Sequence, residues 1–265
     1  MEILDRDQLH YDNKHIEFLE KLWGEGFMSP GGYGEIQRLL MKTNLSECKV
    51  LDIGCGAGGI TISLHKDFQA KMVVGVDVES DVVKKAKDKI KKENLEDHIK
   101  VFLVGQGKLP FKSNTFDRVF SKDSIVHIPD KENIFREIFR VLVPGGVFIF
   151  SDWLISHDKE PSPEMKHYLE LEDLGFGMAS PYRYEGALKN CGFESIEVRN
   201  RNSWYRNEAR RELGILSGSD RKSYEKLTTK DFIANQILTW KAMIKVLDTG
   251  EHCPHHIRAK KPLDS

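Results

Sequence analysis

His127 closes the run Ser121-Lys122-Asp123-Ser124-Ile125-Val126-His127, and an imidazole with an unperturbed pKa of about 6.5 is suited to accept a proton near neutrality. Asp123, four positions earlier, is placed to orient a ligand beside it. A second cluster lies upstream: Val50-Leu51-Asp52-Ile53-Gly54-Cys55-Gly56-Ala57-Gly58-Gly59, followed by Gly75-Val76-Asp77. An apolar strand end that runs into glycines lets the backbone approach a ligand without side-chain obstruction. Gly54, Gly56 and Gly59, with the acid Asp77 some twenty residues on, also fit the dinucleotide fingerprint. The glycine spacing therefore predicts a nucleotide-cofactor cradle without choosing the cofactor.

These residues need a frame. From residue 48 to about 150 strand-like and helix-like blocks alternate, which predicts an α/β fold with a parallel sheet flanked by helices. Strands are expected at 50–53, 72–76, 99–104, 118–121 and 147–151, with helices beginning near Gly58, Asp81 and Asp130. The last helix should stop at Pro144-Gly145-Gly146, where the next strand starts. Residues 1–47 read as a helical segment before the sheet, with Ile16, Leu19 and Trp23 at helical spacing. Residues 158–180 read as a loop or lid around Gly175-Phe176-Gly177. A helix over 184–191, a sixth strand at 194–199 and a last strand at 256–260 complete the pattern. Residues 204–247, inserted before that last strand, read as two helices whose stripe Ile237, Trp240, Met243, Ile244 and Leu247 is best explained by core packing.

The 265 residues carry 40 basic and 41 acidic side chains, a formal charge of −1, so bulk electrostatics favour neither nucleic acid nor an anionic membrane as a partner. The lysine-rich stretch 84–92 reads as a solvated helix face. No apolar run is long enough to span a bilayer, and the first residues do not resemble an export signal. The four cysteines have no Cys-x-x-Cys spacing, so reduced thiols in a cytoplasmic protein are expected.

The glycine turn is one of five ordered marks. Leu109-Pro110-Phe111 and Thr115-Phe116-Asp117 follow, then Ser121 to His127, then Leu142-Val143-Pro144-Gly145-Gly146. Together they resemble the class I S-adenosylmethionine-dependent methyltransferases over residues 48–152. The resemblance implies a Rossmann-like, mostly parallel seven-stranded sheet with helices on both faces. It implies S-adenosylmethionine as cofactor, with Asp77 on the ribose hydroxyls, Gly54 and Gly56 at the methionine and ribose, Asp52 holding the turn, and Val78, Gly107 and Ser121 completing the cradle. Gln106 stands where many members have an acid that meets the adenine amino group, and its carbonyl can accept the same hydrogen bond.

Tyr11, the stretch Trp23 to Gly32, and Ser121 to His127 further resemble the phosphoethanolamine N-methyltransferases. Leu171-Glu172-Asp173-Leu174-Gly175 is similar to the sarcosine/dimethylglycine methyltransferases. The resemblance implies N-methylation of a small polar amine, with His127 and Tyr11 as a catalytic pair, Asp123 beside them on the acceptor or the methionine amine, and Met28 and Ser29 as lid positions on the cofactor. The domain division expected is then a helical lid over 1–47 and a methyltransferase domain over 48–265.

The acceptor contacts are less plainly marked. Trp153 stands where the phosphoethanolamine family has a tyrosine, and Tyr182, Arg183, Tyr184 and Lys245 are candidates for an anion site. Glu170, Glu172 and Asp173 instead suit a cationic amine, with Trp153 and Phe176 as an aromatic wall. His252, Cys253, His255 and His256 match no established metal spacing, and methyl transfer needs no metal. O- or C-methylation of a hydrophobic acceptor, a non-catalytic cofactor-binding protein and an NAD-binding protein are the competing readings.

Overall fold

A computed structural model describes residues 12–264 apart from 106 and 174. The calls on Tyr11 and Gln106 therefore lie outside the described residues. Seven strands form one sheet: β1 (Lys49–Ile53), β2 (Met72–Asp77), β3 (Ile99–Leu103), β4 (Phe116–Lys122), β5 (Leu142–Asp152), β6 (Glu194–Asn200) and β7 (His255–Lys260). Their order is β3-β2-β1-β4-β5-β7-β6, parallel except for β7, which runs antiparallel to both of its neighbours. This is the α/β, mostly parallel seven-stranded sheet expected. Strand order reverses between β1 and β4, and in open parallel sheets the crevice at such a switch point is where ligands bind.

Two helical layers cover the sheet. On one face, α5 (Lys131–Val141) and α7 (Pro181–Asn190) bury Phe135, Ile138, Tyr184 and Leu188 against Leu51, Val119, Phe148 and Phe150. On the other, α2 (Gly32–Leu40), α3 (Gly59–Lys66) and α4 (Ser80–Lys92) bury Ile36, Leu64, Val83 and Ala86 against Val50, Val73, Val101 and Ile149. The lysines of α4 lie away from that face, because only Val82, Val83, Ala86 and Ile90 recur at helical spacing and are buried.

A third apolar cluster forms a cap. It joins α1 (Asn13–Trp23), α6 (Pro163–Glu172), α8 (Asn202–Ser217), α9 (Arg221–Leu227) and α10 (Lys230–Thr249) through Phe18, Leu22, Tyr168, Tyr205, Tyr224 and Trp240. The insertion therefore holds three helices where the sequence suggested two. Gly218 ends α8, and Thr229, whose side chain accepts a hydrogen bond from the Phe232 N–H, starts α10 afresh. Of the stripe on α10, Ile237, Trp240, Met243 and Leu247 are buried and Ile244 packs partly buried against them.

The segment before the sheet divides in two. Its first helix, α1, joins the cap, whereas α2 packs on the sheet. A buried ion pair fixes α2 there: Glu35 accepts from Arg201 Nε at 2.9 Å and Nη2 at 2.8 Å, while His256 Nε2 lies 2.8 Å from its Oε1. Burial alone would raise the Glu35 carboxyl, but the hydrogen bonds from His256 and Arg201 bring it below its ordinary value.

Two further boundaries differ from the pattern read in the sequence. Residues 163–172 form α6, begun by a Ser162-Pro163 cap whose hydroxyl accepts from the Met165 N–H at 3.1 Å. The helix α5 ends at Val141, and Pro144-Gly145-Gly146 falls inside β5, where the pairing with β4 jumps from Phe116↔Leu142 to Arg118↔Val147. The glycines there make a strand irregularity rather than a helix stop. No described helix is long and apolar enough to cross a membrane.

Candidate active site

The turn after β1 is held open by tertiary contacts. Gly54 and Cys55 donate their N–H groups to the Val76 carbonyl at 2.9 and 3.1 Å, so the loop folds back over the end of β2. Gly54 has φ +72°, and a Cβ there would lie 2.2 Å from Ser124 Oγ. Gly56 has φ +52°, and its missing side chain leaves Met28 packed over the turn, the sulfur 3.1 Å from the Cβ position. Asp52 is buried beneath, accepting from the Thr61 hydroxyl at 2.7 Å. Burial raises its carboxyl to about 7.

Asp77 ends β2 with its carboxylate set by two backbone donors, Gly56 N at 2.9 Å and Glu79 N at 3.0 Å. Burial raises this carboxyl above its ordinary value, against those bonds and one from the Val78 N–H. Ser121 sits deeper than expected of a ligand contact: fully buried, it gives its hydroxyl to the Ile53 carbonyl at 2.8 Å and props β1 from β4. Gly107 is exposed with φ +106°. The segment before the sheet reaches the turn here: the Gly59 N–H at the start of α3 donates to the Gly26 carbonyl at 3.0 Å, and Met28 and buried Ser29 follow.

Met28, Ser29, Asp123 and His127 also line a cavity between the sheet and the cap, with about 690 Å³ of empty space counting its solvent-open part. Its far walls are Trp153 after β5, Leu171 and Glu172 at the end of α6, and Phe176 in the following loop. The helix α10 contributes Gln236, Thr239, Trp240 and Met243, and α1 contributes His15, Leu19 and Trp23.

His127 ends a 3₁₀ turn over Ile125–His127, its ring 5.1 Å from that of Phe176, which in turn meets Trp153 edge-on at 5.5 Å. The turn is anchored from below. Lys131 Nζ donates to the carbonyls of Ile125 and Ile128, each at 2.6 Å, and Asp152 accepts from the Val126 N–H at 3.0 Å. Burial raises the Asp152 carboxyl and lowers the Lys131 amine, and each charge offsets the other's shift.

Asp123, with φ +53°, accepts from Lys122 Nζ at 2.6 Å, Ser151 Oγ at 2.8 Å and Tyr205 Oη at 3.3 Å. Its charge is thus matched inside the protein by Lys122, whose side chain is 1% exposed.

The expected acceptor contacts separate. Trp153, Phe176 and Glu172 reach the cavity; Tyr182, 81% exposed, and the exposed Arg183 sit at the outer start of α7 and do not line it. Tyr184 is buried and gives its hydroxyl to Asp152, and Lys245 pairs with Glu164 at the surface. Of the acidic trio, Glu170 and Asp173 face solvent. Burial pushes the Glu172 carboxyl up to about 7, offset by the Tyr168 hydroxyl beside it.

The histidine-rich end is dispersed. His252 lies in the ring contacts of Trp153 and Tyr168, and burial drives it down to about 4, so it is neutral. His255 Nδ1 meets the Cys253 carbonyl and His256 meets Glu35. Among the described residues no three His, Cys, Asp or Glu side chains are grouped to hold a metal.

A seven-stranded sheet with one reversed strand, a glycine turn at its switch point and a capped cavity beside it define a Rossmann-like methyltransferase fold. The chain belongs to the methyltransferase-domain family, whose model matches residues 44–179. It is 28% identical over 246 residues to phosphoethanolamine N-methyltransferase 3 of Arabidopsis thaliana, a match covering 92% of this chain and 49% of that one. Over 152 residues it is 36% identical to a sterol 24-C-methyltransferase of Saccharomyces cerevisiae, covering 56% of this chain and 39% of the relative.

Among solved structures, Haemonchus contortus phosphoethanolamine N-methyltransferase 2, in complex with phosphomonomethylethanolamine and S-adenosylhomocysteine, superposes with a TM-score of 0.87 at 25% identity. That match covers 97% of this chain and 59% of the other. A protein from Galdieria sulphuraria assigned to the sarcosine dimethylglycine methyltransferases shares the fold, with a TM-score of 0.81 at 22% identity over 95% of this chain and 99% of that one. The chain spans about half the length of the plant relatives it matches.

Sequence reasoning did not find Lys131, Asp152 or Glu212. They are buried charged residues whose partners lie on other elements, and no local spacing marks them.

Proposed function

We propose that this protein is an S-adenosylmethionine-dependent N-methyltransferase of a small amine. The observation that carries the reading is the meeting of Met28 and Ser29 from the lid, and Asp123 and His127 from the loop after β4, at one cavity beside the glycine turn. The residues of that turn fit the cofactor: positive-φ glycines at 54 and 56 keep side chains out of the cradle, and Asp77 is held at the end of β2 by backbone donors. When bound, the cofactor supplies a methyl group activated by a sulfonium leaving group.

The chain's own residues then align the amine, exclude water and manage its proton. His127 takes the proton shed by a primary or secondary amine as the nitrogen–carbon bond forms and the carbon–sulfur bond breaks, leaving a neutral thioether. Tyr11 is the expected partner of His127 from the lid. Asp123, neutralised by Lys122, orients the acceptor. Phosphoethanolamine, for which the Arabidopsis and Haemonchus relatives are named, and N-methylated glycines are to be assayed alongside small amines that carry no acidic group.

The test is His127→Ala, assayed by transfer of a labelled methyl and by calorimetric titration with S-adenosylhomocysteine. Turnover should fall by about 100-fold or more, the usual scale of general acid–base catalysis, while S-adenosylhomocysteine binds as before. Unchanged turnover removes His127 from the mechanism, and absence of S-adenosylhomocysteine binding removes the cofactor assignment.

A further inference from the structure

The charge of the cavity wall singles out the kind of amine. Among the described residues lining it there is no lysine and no arginine, and its basic side chains are the two histidines His15 and His127. Two carboxyl groups are present instead. The Asp123 charge is already matched by Lys122 Nζ at 2.6 Å, whereas Glu172 makes no ion pair with any described basic residue within 4.0 Å. The basic side chains near the sequence that might have served are directed elsewhere: Arg183 is exposed on α7, and Lys245 is paired with Glu164.

Around Glu172 the wall is aromatic. Trp153 and Phe176 meet edge to face at 73° with centroids 5.5 Å apart, and Trp240 also lines the cavity. An anionic group brought beside Glu172 would meet ring faces and a buried carboxyl that resists ionising next to it, with no lysine or arginine in the described lining to hold its charge. An ammonium would meet the same groups as attractions.

Resting on the reading of this cavity as the acceptor site, we propose that the acceptor is held as an alkylammonium against Glu172, Trp153 and Phe176, and that it carries no phosphate or carboxylate of its own. The same wall favours transfer, because the nitrogen gains positive charge as it bonds the methyl carbon, and fixed carboxylate and ring dipoles stabilise charge that develops beside them. Because the acceptor binds as an alkylammonium, its N–H proton passes to His127 before the freed lone pair attacks the methyl carbon, for a tertiary amine as for the less substituted ones.

The experiment uses matched acceptors and a probe without chemistry. With the protein saturated by S-adenosylhomocysteine, tetramethylammonium is titrated calorimetrically against wild type, Glu172→Gln and Phe176→Leu. Labelled-methyl transfer is then compared for dimethylethanolamine and its phosphate ester, and for dimethylglycine and its amide. Tetramethylammonium should bind wild type, and each substitution should weaken it about tenfold with S-adenosylhomocysteine affinity unchanged. The uncharged member of each pair should be turned over at least tenfold better than the anionic one.

Tetramethylammonium binding that ignores both substitutions, or equal or better turnover of the phosphate ester, overturns the proposal while leaving N-methylation intact. Failure to bind S-adenosylhomocysteine would instead remove the reading on which the proposal rests.

Discussion

Trp23 and Trp240, on α1 and α10 and 217 positions apart in sequence, give their indole N–H groups to the two oxygens of one buried carboxylate, Glu212 on α8, at 2.6 and 2.9 Å. Both indoles line the cavity, and their centroids are 6.4 Å apart. The first described helix is thereby tied to the insertion that precedes the last strand, and the cavity roof is built from both. Two ring planes are fixed by a group that stands behind them.

Glu212→Ala removes both acceptors at once. One buried and one half-buried indole donor are left without partners, each at a cost of about 1–2 kcal/mol, so unfolding free energy should fall by about 2–4 kcal/mol. For a chain of this size that corresponds to a fall in melting temperature of roughly 5–15 °C. Chemical denaturation with tryptophan fluorescence reads both the loss and the altered indole environment. A change below 0.5 kcal/mol, the ordinary surface value, would show that the clamp contributes nothing.

The same carboxyl gives a pH signature. Burial pushes it up to about 7, against the hydrogen bonds from Trp240 and Trp23. A raised folded pKa means that the native state holds the proton longer than the unfolded chain, whose carboxyl titrates near 4.5. Its contribution to stability is therefore complete below about pH 4.5 and is lost as pH rises toward 7. Glu212→Gln cannot titrate, so its stability relative to wild type should improve steadily from pH 4.5 to 7 and be level above. Denaturation midpoints of the two proteins across that range test it, and a difference independent of pH contradicts the raised carboxyl.

Much of the frame was legible because it rests on periodic burial. The strand at 72–77 is a continuous apolar run, buried at its four central positions, that ends in Asp77, and α4 shows four apolar positions on one stripe. Local caps were legible too: Asp130 before α5 accepts from the Asn133 N–H as its position predicts. The site was legible where a turn needs glycine, as at 54 and 56. What could not be read was the pairing of distant charges. Glu35 meets Arg201 across 166 positions, and Arg183 points outward although its neighbour Tyr184 is buried. A sequence shows that a charge exists, and only the packing of separate elements decides whether it faces a ligand, a partner or water.

Lys131 supports His127 without lining the cavity. Its amine satisfies the carbonyls of Ile125 and Ile128, the residues on either side of Val126 and His127. Lys131→Met keeps the stem and removes the donors, taking a hydrogen bond from the Ile128 carbonyl while Ile125 keeps that of the Ile128 N–H at 2.9 Å, and removing the positive charge that favours the Asp152 carboxylate. Losing hydrogen bonds from a buried charged donor costs about 1.5–3 kcal/mol. If the protein remains folded at 15 °C, turnover should fall about tenfold or more through displacement of His127, with S-adenosylhomocysteine affinity within threefold of wild type. Full turnover in a destabilised variant would show that the turn keeps its shape without the anchor.

Gly26 is where the lid touches the cradle most closely. Its φ is +81°, and a Cβ would stand 2.7 Å from Gly59 Cα and 2.8 Å from Gly59 N, backbone atoms at the start of α3 that cannot give way as a side-chain tip does. The contact carries a hydrogen bond in each direction of support: Gly59 N donates to Gly26 O at 3.0 Å, and Gly26 N donates to Glu20 Oε1 at 2.7 Å, a carboxylate that also takes Lys89 Nζ at 2.9 Å. Gly26→Ala therefore strains the backbone and pushes the lid loop off α3 together. Stability should fall by about 1–3 kcal/mol, the range for a side chain forced into positive φ, and Met28 and Ser29 should lose their register over Gly56. S-adenosylhomocysteine should bind about tenfold more weakly, and limited proteolysis should cut within residues 24–32 where the wild type resists. Retained affinity with lowered stability would confine the contact to folding and remove the lid loop from cofactor binding.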